Sequence, residues 1–75
     1  MREEVLEVLA RINEDADFEN STDFIEDGLL DSFEIVSLVD ELESVFDIEI
    51  SGADIIPDNF VSMEAIAELI NKSRG

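Results

Sequence analysis

One stretch governs what this chain can become: Asp31 to Asp47, which carries Ile35, Leu38, Val39, Leu42, Val45 and Phe46. At about 100° per residue, all six fall within roughly 80° of Ile35, forming the apolar stripe of an amphipathic helix. Asp31 is suited to cap its start, and Glu34 three residues on completes a capping-box pair. A helix with one apolar arc must bury that arc against other elements. The flanking sequence offers two helical partners. Glu3 to Asn13 sets Val5, Val8, Leu9 and Ile12 at i, i+3, i+4 and i+7, and Leu6 widens the stripe. Ser62, the expected N-cap, opens a last helix that runs to about Lys72, with Met63, Ile66, Leu69 and Ile70 on its inner face.

The connections are unequal. About 18 residues, Glu14 to Asp31, join the first two helices, which is long for a compact domain. Phe18, Phe24, Ile25, Leu29 and Leu30 lie within this segment and predict that it is packed down. Asn20, Ser21 and Thr22 read as turn, and Gly28 as a break. Ile48-Glu49-Ile50 is a brief extended segment, too isolated for a sheet, and Ser51 to Ile56 has room for one helical turn before Pro57. The expected architecture is all-α: a small antiparallel bundle of three to four helices, with a long first loop and a short third helix, in a single domain over residues 1–75.

Charge narrows the function classes. The chain has 21 acidic residues against 4 basic ones, a net charge of -17, which repels nucleic-acid phosphates. A hydrophobic content of 45% separates it from a disordered acidic tail. With no Cys there is no disulfide, no thiolate metal site and no cysteine nucleophile; with no His there is no imidazole base. No apolar run approaches the roughly 18 residues of a membrane span, and no basic-then-apolar leader opens the chain. A cytoplasmic monomer, with no nucleic-acid partner and no membrane insertion, is the expectation.

The central helix also has an outer face. Phe33 lies about 160° from Ile35 and Val36 about 100°, beside Ser32, Ser37, Asp40, Glu43, Ser44 and Asp47. Isolated apolar residues on a surface are ordinary, and the long loop could cover these two. The alternative is a docking strip, with Phe33 and Val36 for contact and Asp40 and Glu43 steering a basic partner.

Ser32 stands in the first turn of that helix. A serine there usually serves as a cap, but Asp31 is available for that role, which leaves the Ser32 hydroxyl free. A phosphate ester on it would sit at the positive end of the helix dipole. The segment Gly28-Leu29-Leu30-Asp31-Ser32-Phe33, continuing through Ile35-Val36, Leu38-Val39, Glu41-Leu42-Glu43 and Phe46-Asp47-Ile48-Glu49-Ile50, resembles the acyl carrier protein superfamily. Phe24-Ile25-Glu26-Asp27 is similar to the end of that family's first loop. Pro57-Asp58-Asn59-Phe60 is similar to a version common in stand-alone aminoacyl or specialised acyl carriers.

The resemblance implies that Ser32 carries 4'-phosphopantetheine and that cargo rides on its terminal thiol as a thioester. It implies that Asp31 assists attachment by way of the transferase's magnesium ion. It implies docking roles for Phe33, Val36, Asp40 and Glu43. The partners it implies are a phosphopantetheinyl transferase and an acyl- or aminoacyl-activating ligase, synthase or acyltransferase with a basic docking surface. The chain itself is then a non-catalytic carrier with no specific metal site. Leu29-Leu30 replaces the Gly-Ala usual before the Asp-Ser of fatty-acid carriers, and Ser37 and Ser44 stand where those carriers often have Glu. The Leu-Leu form is similar to the D-alanyl carrier of cell-wall modification.

Other chemistries were open to the residues alone. Asp15, Asp17, Glu19, Ser21, Asp23 and Glu26 occupy positions 1, 3, 5, 7, 9 and 12 of an EF-hand-like loop, but Asn20 replaces the glycine of position 6. A hydrolase would need a base for Ser32, and Lys72 is the only lysine. An acidic protein-interaction or divalent-cation-binding module without a prosthetic group is the alternative to the carrier.

Overall fold

A computed structural model describes residues 2–74. Met1 and Gly75, the ends of the expected domain, lie outside the described residues. Three α-helices are present among the described residues: α1 (Arg2–Ile12), α2 (Ser32–Phe46) and α3 (Met63–Arg74). Two 3-10 turns, Gly52–Asp54 and Pro57–Phe60, stand between α2 and α3, where one short helix was expected. There is no strand among the described residues, and the molecule is the small all-α bundle that the periodicity predicts.

Each helix ends for a local reason. The first turn of α1 carries Glu3 and Glu4 and its last turn Arg11, so both charge signs suit the helix dipole. The α3 helix starts where the Ser62 hydroxyl accepts the Ala65 N–H at 3.0 Å, and it finishes with Lys72 and Arg74 in its last turn. The C-terminus of α2 is different. Asp47 turns the chain in the left-handed region at φ 53°, donating its N–H to the Glu43 carbonyl.

The three apolar stripes meet in one core. Leu9 of α1, Leu38 and Leu42 of α2, and Ile66 and Ile70 of α3 are fully buried. Two aromatic residues from the connections complete it: Phe24 and Phe60 are both 0% exposed. Among the described residues no polar side chain is buried, so all polar chemistry is at the surface. Val45 departs from expectation. It lies 40% exposed, because it stands at the margin of the α2 arc, about 80° from Ile35.

The long first loop is packed down. Phe18, Phe24 and Leu30 are buried, with Ile25 and Leu29 packed partly against them. Phe18 meets Phe24 edge-on, ring centres 5.0 Å apart, a geometry favoured by the aromatic quadrupole. The radius of gyration, 11.0 Å, matches the about 11 Å of a compact chain of this length.

Candidate functional site

The mouth of α2 is built by three segments. Gly28, at φ 75°, turns the first loop back on itself, a conformation that costs glycine little. The Leu29 and Leu30 N–H groups then both donate to the Phe24 carbonyl, at 2.8 and 3.2 Å. Phe24 donates its own N–H to the Val61 carbonyl at 2.7 Å, just ahead of α3. Asn13, past the end of α1, donates through Nδ2 to the Leu29 carbonyl at 3.1 Å. The residues entering α2 are thereby tied to the segments just after α1 and just before α3.

Asp31 caps the helix. Its Oδ1 accepts the Glu34 N–H at 2.7 Å, while Glu34 Oε1 accepts the Asp31 N–H at 3.1 Å, a reciprocal capping box. The next residue, Ser32, is exposed, and among the described residues no hydrogen bond engages its hydroxyl. The amides of the first turn give this point a partial positive charge. An anionic ester fits there, because the ester oxygen is not needed by the fold and the helix end favours the charge.

The outer face of α2 begins at the same point. Phe33 is 82% exposed and Val36 60%, so the long loop leaves them uncovered. Ser37, Asp40, Ser44 and Asp47 are exposed along the same side. Glu43, grouped with them in the sequence reading, is half-buried. Its Oε2 accepts the Ile50 N–H at 2.9 Å, which holds the segment leaving α2 against the helix. Nothing local in the sequence signals that bond, because it depends on the reversal at Asp47. Glu34 was legible in the sequence as the capping-box partner of Asp31, and its Oε1 makes that bond.

The acidic first loop is a series of capped turns. Asp17 accepts from Asn20 Nδ2 at 2.7 Å, and Asp23 Oδ1 accepts the N–H groups of Ile25 and Glu26 at 3.1 and 2.9 Å. Ser21 donates to Asp27 at 2.5 Å. Among the described residues no three carboxylates converge as a cation site would require, so the EF-hand-like spacing does not produce EF-hand geometry. Four surface depressions of about 200 to 320 Å³ lie along α1, α3 and the connections, and none of the four is lined by Ser32 or by another α2 residue. Ser32 opens to solvent, not into one of these. No described helix is long and apolar enough to cross a membrane.

Comparison with known proteins agrees with this geometry. A family model described as "Phosphopantetheine attachment site" matches residues 1–70. The chain therefore belongs to the phosphopantetheine-attachment family, within the acyl carrier protein superfamily, whose members bear 4'-phosphopantetheine covalently on a serine. Its role is that of a carrier, a class that serves other enzymes and is generally not catalytic itself. No solved structure matches the chain.

Proposed function

We propose that Ser32 is the serine that bears the phosphopantetheine, and that residues 1–75 act as one monomeric cytoplasmic carrier domain presenting an acyl or aminoacyl thioester to partner enzymes. The division of labour at the start of α2 carries this reading: Asp31 performs the capping and Ser32 does not. Three other serines are engaged. The Ser21 hydroxyl donates to Asp27, Ser51 accepts the Ala53 N–H, and Ser62 accepts the Ala65 N–H. Ser37, Ser44 and Ser73 stand farther along their helices, away from the N-terminal amides.

The arm supplies the thiol that a cysteine-free chain lacks. The protein's own residues hold and orient. Asp31 and Glu34 fix the first turn, so the ester leaves from a rigid point. The helix N-terminus favours the phosphate, and Asp31, which uses Oδ1 for the cap, assists its attachment. Phe33, Val36 and Asp40 form the surface on which a phosphopantetheinyl transferase, and then a ligase, synthase or acyltransferase, docks. The Leu29-Leu30-Asp31-Ser32 sequence favours an aminoacyl or specialised acyl cargo, in the manner of D-alanyl carriers.

Incubation of the apo protein with coenzyme A and a promiscuous phosphopantetheinyl transferase tests the assignment. Intact mass spectrometry should show one phosphopantetheine on the wild type and none on Ser32→Ala. Modification of Ser32→Ala would place the attachment elsewhere.

A further inference from the structure

The peptide unit joining Leu29 to Leu30 is held at both edges. Its carbonyl, that of Leu29, accepts from Asn13 Nδ2 at 3.1 Å, and its N–H, that of Leu30, donates to the Phe24 carbonyl at 3.2 Å. Engagement continues toward the helix mouth. The Asp31 N–H donates to Glu34 Oε1 at 3.1 Å, and the Asp31 carbonyl accepts the Ile35 N–H at 2.9 Å. Ser32 follows directly.

Asn13 is itself tied down. Its N–H donates to the Leu9 carbonyl at 3.0 Å, and its carbonyl accepts the Ala16 N–H at 3.2 Å. Backbone bonds on both sides therefore steady its half-buried side chain. Among the described residues it is the only side chain from outside α2 that bonds any residue from Gly28 to Asp31. Arg11 also joins α1 to α2, but through Glu41, farther along the helix.

Burial does not do the same work. Leu30 is sunk in the core and Leu29 packs partly against it, which sets the depth of the segment. The hydrophobic effect has no direction, whereas bonds at two edges of one peptide plane fix its rotation. Asp31 must keep its extended conformation, φ -107° and ψ 178°, to hold Oδ1 on the Glu34 N–H. Freeing one edge of the plane that precedes it loosens the cap beside Ser32.

We propose that Asn13 is a positioning residue for the loading of Ser32: from the end of α1 it orients the Leu29–Leu30 peptide, and through that peptide Asp31 and the serine hydroxyl. This deepens the attachment reading and rests on it. In loading, the Ser32 oxygen bonds to the pantetheine-bearing phosphorus of coenzyme A. The bond from that phosphorus to the bridging pyrophosphate oxygen breaks, the nucleotide leaves with the electron pair, and the hydroxyl proton passes to a base of the transferase. Such a displacement needs the oxygen about 3–3.5 Å from phosphorus, and a misplacement of about 1 Å can cost about 100-fold. Asn13 acts through the peptide it holds and not on the reacting atoms.

The test is steady-state loading of apo protein by a phosphopantetheinyl transferase, well below the melting temperature of every variant. Asn59 supplies a matched control, since its Nδ2 donates to the Asp54 carbonyl at 2.8 Å, the same kind of part-buried bond in the connection between α2 and α3. Asn13→Ala and Asn59→Ala should both lower Tm, by about 4–8 °C for one lost bond. Only Asn13→Ala should lower kcat, by about tenfold, with KM within about twofold of wild type because no group on α2 is changed. Asn13→Asp keeps the shape but lacks the donor, and should lose at least as much. In Asn13→Ala the Leu30 amide should exchange faster while that of Leu42 keeps its protection. A kcat for Asn13→Ala within about twofold of wild type would overturn the proposal. So would an equal fall in Asn59→Ala, Asn13→Asp loading like wild type, unchanged protection at Leu30, or loss of the helical circular dichroism signal in Asn13→Ala. The two readings fail separately: a wild-type chain that takes no phosphopantetheine defeats the attachment reading, whereas normal wild-type loading with an indifferent Asn13 defeats only the positioning role.

Discussion

Removing the Glu43 carboxylate separates a structural from a docking role for that residue. In Glu43→Ala the Ile50 N–H, part-buried and 2.9 Å from its acceptor, loses a charged partner. Leaving such a donor partly unsatisfied costs about 1–2 kcal/mol. The better helix propensity of alanine offsets a few tenths of that, for a net loss of about 1 kcal/mol. In a chain of 75 residues, each kcal/mol lowers Tm by about 4–8 °C. Thermal melts followed by circular dichroism should show a fall in that range, and amide exchange should show lost protection at Ile50. Glu43→Gln keeps an oxygen that accepts the same N–H and sheds one negative charge, so it should melt closer to wild type. If Glu43→Ala melts within about 1 °C of wild type, the carboxylate contributes too little to the fold to carry this reasoning.

Two further outcomes concern charge. Asp47 places a negative side chain at the negative end of α2, so Asp47→Asn should raise stability by about 0.3–1 kcal/mol. A lower urea midpoint for that variant would contradict the dipole argument. The net charge of -17 should make Tm rise from low salt to physiological ionic strength, where screening sets in within about 8 Å. Melts indifferent to salt over that range would show that self-repulsion does not limit the fold.

Much of the fold was legible because helical periodicity is a local property. The arcs of Val5, Val8 and Leu9, of Ile35 to Phe46, and of Met63 to Ile70 each repeat often enough to be read without knowledge of their neighbours. The start of α2 was legible for the same reason, since a capping box is complete within four residues. What escaped was set by distant packing. Val45 has the same apolar character as Leu42, and its exposure depends on how far the surrounding elements reach. The Pro57–Phe60 turn is too short to have a period, although it buries Phe60 as deeply as any residue of the core. The engagement of Glu43 required the αL turn at Asp47 to bring Ile50 back. The distribution of cations was equally invisible: Arg11 bonds Glu41, Lys72 meets Asp54 at 2.8 Å, and Arg74 lies 5.7 Å from the centre of the Phe46 ring. Three of the four basic residues, all at the surface, thus have partners within the fold.

The capping of α2 by Asp31 has a consequence for how such a molecule travels between enzymes. On the proposed assignment to Ser32, esterifying the neighbouring hydroxyl severs no hydrogen bond of the described fold. Loading at that point asks no rearrangement of the turn that opens the rod, since the cap is held by its neighbour.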